Sequence, residues 1–376
     1  MNILFCGGGT AGHVTPNLAL IDEICKLKQS SQCRNEKAYE VFCNATIFYA
    51  GSTHSDAELL SPYIQSGKVE KYFRLDAPKL RRTFCLSNFA LPFRFVKAVK
   101  QAGKILDEIK PQVIFSKGGY VGLPIVIAAS RRKIPSILHE SDLSMGLANR
   151  ISMRYVTRAL SAFPQKKGNT TVVGMIVRQS LIDGDRQKGL DFCKFDGSKP
   201  LLLVTGGSLG AQALNEAIAD TPSLADKFDI FVLTGNGKSI DCYFVHQAEF
   251  CNTPGDLFAA ADVCLTRAGS TTLCELTLCK TPFVAVPLVK GSRGEQRLNA
   301  EYFAKRGCGT VLDESKLQSR LAGAVKFVYD NRAAFVAKQT KYARTLDGTQ
   351  NCLNEIADLL KNVTPERNYK LQKNDT

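Results

Sequence analysis

The chain has 376 residues, 44% of them hydrophobic, and a formal net charge of +14. That length exceeds one ordinary core and fits two domains. No window approaches the ~20 apolar residues of a membrane span, and because Met1-Asn2 lacks a basic n-region no secretory leader is expected.

The thirteen cysteines are scattered, without C-x-x-C or a His/Cys ligand spacing, so reduced packing thiols in a cytosolic protein are expected rather than zinc or disulfides. Three N-x-[ST] sequons, at Asn44, Asn169 and Asn362, are then chance matches. The positive charge points to an anionic partner: nucleic acid, a phosphorylated substrate or the inner leaflet of a membrane. No RRM, KH or helix-turn-helix pattern accompanies it, which disfavours nucleic acid.

Along the chain, β-rich apolar runs at 3–6, 45–50, 113–116, 136–139, 159–163, 201–205, 229–234, 263–266 and 283–286 alternate with helical patterns, one of them a buried helix containing 121–129. Such alternation predicts parallel sheets, with ligands bound beyond the carboxyl ends of the strands. The first run leads into Gly8-Gly9-Thr10-Ala11-Gly12, and 201–205 leads into Gly206-Gly207-Ser208-Leu209-Gly210. Both read G-G-[ST]-x-G and open a helical pattern. A glycine-rich turn at a helix N-terminus leaves backbone N–H groups pointing outward and favours phosphate. Either loop alone could be a tight βα turn without a ligand. As a pair, roughly two hundred residues apart, they predict an α/β protein of two Rossmann-like, doubly wound halves with a diphosphate ligand in the cleft between them.

Other polar motifs also follow strands: Lys117-Gly118-Gly119-Tyr120, Glu140-Ser141-Asp142 and Arg267-Ala268-Gly269-Ser270. Residues 29–39 form a long polar loop. Residues 74–104 hold many cations, the single acid Asp76, and Phe84, Phe89, Phe93 and Phe95. Such a segment suits a membrane surface, or else is an amphipathic helix with solvated lysines. The boundary between halves falls near 174–179, and a polar, disordered tail is expected from about Asn362. Gly235-Asn236-Gly237-Lys238-Ser239 imitates a P-loop, but Val232 stands where its first glycine belongs. No ribose-binding acid on the second strand supports a dehydrogenase.

The run Gly7-Gly8-Gly9-Thr10-Ala11-Gly12-His13-Val14-Thr15-Pro16 resembles the N-terminal signature of the MurG family of bacterial lipid I N-acetylglucosaminyltransferases. Lys117 to Val121, His139-Glu140-Ser141-Asp142 with Gly146-Leu147-Ala148-Asn149-Arg150, Gly206 to Ala211, Arg267 to Glu275 and Arg293 to Ala300 follow in the same order. The resemblance covers about residues 1–310. It implies a GT-B glycosyltransferase: an acceptor and membrane domain at 1–177, joined by a C-terminal helix at 347–361, a UDP-GlcNAc domain at 178–346, and a tail at 362–376. It further implies inverting transfer of GlcNAc to the C4 hydroxyl of the muramyl sugar of lipid I, with no metal or other cofactor. This would serve peptidoglycan synthesis, at the anionic cytoplasmic face of the membrane.

Inverting transfer needs a base for the acceptor hydroxyl and positive charge for the departing diphosphate. His13, at a helix N-terminus that disfavours imidazolium, is the expected base; an orienting histidine is the alternative. Thr10, Ala11 and Gly12 offer backbone donors, and Ser208 and Arg178 face the diphosphate. The resemblance maps the ribose acid to Glu275, beyond Ser270, Thr271 and Thr272. It maps the uracil contacts to Phe250 and Cys251, and sugar contacts to Asp142, Glu295 and Gln296. Three motifs depart from the family pattern: Ser141-Asp142 for Q-N, Met175-Ile176 where a proline is usual, and Glu295 for glutamine. Other readings are a transferase for another lipid such as diacylglycerol, a UDP-sugar-binding subunit without activity, and a UDP-GlcNAc 2-epimerase.

Overall fold

The computed structural model describes residues 1–30, 40–52, 54–78, 91–166, 168–206, 211–288 and 294–362. Within these, the chain divides into two compact units: Met1–Ile176 with the segment from Gly348 onward, and Val177–Asp347.

The first unit is built on a seven-stranded sheet of β1 (Asn2–Cys6), β2 (Thr46–Gly51), β3 (Lys71–Arg74), β4 (Val113–Ser116), β5 (Ser136–Glu140), β6 (Arg158–Ser161) and β7 (Thr171–Val172). Every pairing is parallel, in the order β3-β2-β1-β4-β5-β6-β7. The second unit holds β8 (Leu201–Thr205), β9 (Asp229–Leu233), β10 (His246–Ala248), β11 (Val263–Arg267), β12 (Phe283–Val286) and β13 (Gly309–Val311). They too are all parallel, in the order β10-β9-β8-β11-β12-β13. The architecture is thus the expected pair of doubly wound sheets.

Parallel strands are covered on both faces, which is why their sequences read as continuous apolar runs. In β1, Ile3 and Phe5 enter one core with Ile47, Val113 and Ile137. Leu4 and Cys6 enter the other with Ala50, Ile114 and residues of the helices Leu91–Ile109 and Gly119–Arg131. Val121 to Ala129 are buried throughout, as anticipated.

The nine expected strands are present, displaced by two residues at most; the run at 159–163 ends at Ser161 because the chain leaves the sheet there. Four strands were not anticipated, β3, β7, β10 and β13, and they are the four edges of the two sheets. An edge strand has one unpaired side and part of a face in water, so it carries no apolar run: Lys71-Tyr72-Phe73-Arg74 alternates, and Thr171 and Val172 are exposed.

The C-terminal helix Thr349–Asn362 returns to the first unit. It buries Cys352, Leu353, Ile356 and Leu360 in that core, while Arg158 pairs with Glu355 (2.6 Å) and Asp358. Gly348 N–H donates to the Met175 carbonyl at 2.7 Å, and any Cβ at Gly348 would meet the Gly174 carbonyl carbon at 2.5 Å. The eleven cysteines among the described residues are free thiols. No helix among those residues is long and apolar enough to cross a membrane. The long polar loop at 31–39, residues 79–90 of the basic segment and the tail at 363–376 lie outside the described residues.

Candidate active site

In each sheet the strand order reverses at one place, between β1 and β4 and between β8 and β11. Loops leaving the two strands there diverge to opposite faces and open a crevice at their carboxyl ends. The two glycine motifs follow β1 and β8.

In the first unit, Gly9 has φ +85 and lies so close to Tyr120 that a Cβ would sit 2.4 Å from its hydroxyl. The helix Ala11–Gln29 starts at once, with Thr10 as an N-cap whose side chain caps nothing. One expectation is corrected here. The Gly9 N–H does not face outward: it donates to Asp56 at 3.1 Å, and Asp56 also accepts from Ser52 N–H at 2.8 Å and Ser52 Oγ at 3.0 Å. A carboxylate already occupies this side of the loop, so the outward donors are those of the helix's first turn. Sequence reading gave Asp56 no role, since it stands beyond β2 on the helix His54–Gln65 and belongs to no motif.

His13 lies in that first turn. Its Nδ1 is 3.2 Å from the Lys117 carbonyl, an acceptor only, so Nδ1 carries the proton and Nε2 keeps its lone pair. Burial and then the nearby Lys117 charge lower its pKa below the usual 6.5, against the opposing pull of Asp142, of the bond to the Lys117 carbonyl and of Asp56. Burial and the Lys117 charge thus favour the neutral ring. Gly119, at φ +74, brings its backbone against the ring: a Cβ there would stand 3.5 Å from Nε2.

Glu140 and Asp142 divide in role. Glu140 is buried and accepts from Asp142 N–H (2.9 Å), Gly146 N–H (3.3 Å) and Asn149 Nδ2 (2.8 Å), while Asn149 Oδ1 accepts from Gly119 N–H (2.8 Å). It braces the segment after β5 and, through Asn149, the turn after β4, and burial followed by the Asp142 charge raises its pKa. Asp142 is partly exposed and acts on His13 through its charge.

In the second unit, Ser208 lies outside the described residues, as do Gly207 to Gly210 and Arg293. The helix after this loop begins at Gln212. After β11 the helix Ser270–Leu278 starts behind Gly269, with no side-chain cap and no acid in its first turn. The N–H groups of Ser270, Thr271 and Thr272 therefore form an anion-favouring end. Glu275 lies one turn on. Burial pushes its carboxyl up to about 7, and the Arg178 guanidinium pulls in the opposite direction. Arg178 precedes the short helix Gln179–Ile182, so the structure brings Arg178, Glu275 and the helix terminus into one neighbourhood.

Gln296 is half committed: its Oε1 accepts from Leu288 N–H at 2.9 Å, leaving the amide N–H₂ for a ligand. Glu295 opens that same helix, Glu295–Ala304. Phe250 is 54% exposed and Cys251 is buried beside Thr253. Among the described residues, no group of three or more His, Cys, Asp or Glu is placed to hold a metal ion.

Known proteins identify the family. Residues 57–161 match the glycosyltransferase family 28 N-terminal domain, and residues 201–359 its C-terminal domain. A Clostridium botulinum protein named UDP-N-acetylglucosamine–N-acetylmuramyl-(pentapeptide) pyrophosphoryl-undecaprenol N-acetylglucosamine transferase is 38% identical over 376 residues, covering 96% of this chain and 99% of its own. A Lachnoclostridium phytofermentans protein of the same name is 38% identical over 351 residues, 89% of this chain and 92% of its own. Among solved structures, the crystal structure of Acinetobacter baumannii MurG superposes with a TM-score of 0.69 at 22% identity, covering 96% of this chain and 99% of the other. The chain belongs to glycosyltransferase family 28 and carries that family's N-terminal and C-terminal domains in order.

Proposed function

We propose that the protein transfers GlcNAc from UDP-GlcNAc to the C4 hydroxyl of the muramyl sugar of lipid I, inverting the anomeric carbon. The observation that carries this reading is the His13 ring, neutral and with Nε2 bare at the switch point of the first sheet. His13 Nε2 takes the acceptor proton as the C4 oxygen bonds to the anomeric carbon. The bond from that carbon to the UDP oxygen breaks with its electron pair, and UDP leaves as an anion. Thr10, the N-cap, and Ala11 and Gly12 of the first turn offer N–H groups on the acceptor side.

In the donor half, Arg178, Ser208 and the helix end at Ser270, Thr271 and Thr272 hold the diphosphate and take up its growing charge. Glu275 accepts from the ribose hydroxyls, the backbone at Phe250 and Cys251 holds the uracil, and Asp142, Glu295 and the free amide of Gln296 address sugar hydroxyls. The reading assigns charge stabilisation to these groups and not to a metal, so a chelator should leave turnover unchanged.

The enzyme would work as a peripheral protein on the cytoplasmic face of the cell membrane. The helix Leu91–Ile109 supports this: it buries Ala98, Val99, Ala102 and Leu106, leaves Phe93 81% exposed, and presents Lys97, Lys100 and Lys104 to solvent. Incubation with UDP-GlcNAc and either a lipid I analogue or diacylglycerol, read by mass spectrometry, tests the assignment. It expects one added N-acetylhexosamine on the lipid I analogue alone. Transfer to diacylglycerol, or consumption of UDP-GlcNAc without an acceptor product, would overturn it.

A further inference from the structure

Lys117 is 1% exposed and, apart from its carbonyl bond to His13, takes no part in the chemistry above. It continues β4, with its N–H donating to the Cys6 carbonyl of β1 at 2.9 Å, so it sits at the switch point itself. Its Nζ lies 2.7 Å from His139 Nδ1 and also donates to Ser141 Oγ. His139 Nε2 is 3.0 Å from the Gly174 carbonyl, so the His139 proton is on Nε2 and its Nδ1 accepts from the lysine. Both bonds tie the Lys117 head to the carboxyl end of β5.

We propose that Lys117 is a positioning residue for His13: its carbonyl fixes the ring's tautomer, and its interior ammonium opposes a second positive charge on that ring. The proposal rests on the reading of His13 as the base and adds what keeps that base ready. Three charged groups face His13 from separate elements: Lys117 after β4, Asp142 after β5, and Asp56 on the helix after β2. The two acids and the bond to the Lys117 carbonyl favour imidazolium; burial, the largest cause, and then the Lys117 charge oppose it, and the pKa of His13 lies below 6.5. His139, bonded to the same Nζ, is held well below 6.5 by burial and by Lys117.

The test is a ¹⁵N-histidine NMR titration of the full chain, which has four histidines, with His13 assigned by the signal lost in His13→Ala. Wild type should show an Nδ1–H tautomer and a midpoint below 6.5. Lys117→Gln keeps donors toward His139 and Ser141 while removing the charge, and Lys117→Met removes both. Each should raise the His13 midpoint by about half a pH unit or more, and the acid limb of kcat should move with it. UDP-GlcNAc affinity should stay within about twofold, because Lys117 lies in the acceptor half.

The Nδ1–H tautomer, held by the backbone carbonyl, should persist in both variants, and an unchanged His13 midpoint in folded Lys117→Gln would overturn the proposal. So would a wild-type midpoint at or above 6.5, a result that stands even if both variants fail to fold. A midpoint that moves while the kcat limb stays would support the placement of Lys117 and remove His13 as the base.

Discussion

Glu275, proposed above to hold the ribose, is pushed up by burial to about 7 in the absence of ligand, and on that proposal donor binding depends on pH in a calculable way. Only the carboxylate accepts hydrogen bonds from both ribose hydroxyls, so bound donor favours the ionised form and the protonated fraction subtracts from affinity. The apparent dissociation constant scales as one plus the ratio of protonated to ionised Glu275. That factor is about 1.1 one unit above the pKa and about 11 one unit below it, so binding should weaken roughly tenfold from about pH 8 to pH 6, or about 1.4 kcal/mol.

Isothermal titration with UDP-GlcNAc, whose diphosphate does not titrate in this range, reads the effect directly. Glu275→Gln should bind more weakly by about 1–3 kcal/mol near pH 8, through loss of charged hydrogen bonds, and should show no slope. Arg178→Ala should move the midpoint upward, because Arg178 is the charge that holds the Glu275 pKa down. A wild-type affinity flat across the range, or the same slope in Glu275→Gln, would refute the assignment of Glu275 to the ribose.

Two further outcomes follow from the first half. Gly119→Ala forces a side chain into φ +74 and against His13 Nε2, so kcat should fall at least about tenfold with donor affinity unchanged; an unaltered kcat would place the acceptor elsewhere. Reversing Lys97, Lys100 and Lys104 should reduce co-sedimentation with anionic vesicles by about 1 kcal/mol per charge and leave UDP-GlcNAc affinity unchanged; undiminished binding would return the helix Leu91–Ile109 to an ordinary packed role.

What the sequence reveals depends on how far a residue's role is written in its neighbours. Interior strands such as β4 and β8 are legible because both faces are buried and every position must be apolar. The edge strands β3, β7, β10 and β13 are not, since solvent relaxes that demand and leaves only a few mixed residues. At the site, His13, Glu275 and the Ser270 turn stand inside motifs with a recognisable order. Asp56 and the Lys117 side chain act across the fold, on partners 47 and 22 residues away, and no local pattern announces such contacts. The same limit explains Gly9, whose N–H looked free in the motif and is bound by an acid on another element. It also explains Glu275, whose residue type suggests a carboxylate but whose burial makes ionisation conditional.

The central claim is that His13 takes the acceptor proton, and the most direct measurement is kcat against pH for wild type and His13→Ala with UDP-GlcNAc and a lipid I analogue. Folding is verified by circular dichroism, and donor affinity is measured in parallel. Neutral imidazole is the active form and its pKa lies below 6.5, so wild-type kcat should hold down to that region and fall beneath it. His13→Ala should lower kcat by about 10²–10⁴-fold, lose that acid limb and bind UDP-GlcNAc as wild type does. A folded His13→Ala within a few-fold of wild type, with the acid limb intact, would contradict the account and pass the role of base to Asp142, the partly exposed acid whose charge reaches the same ring.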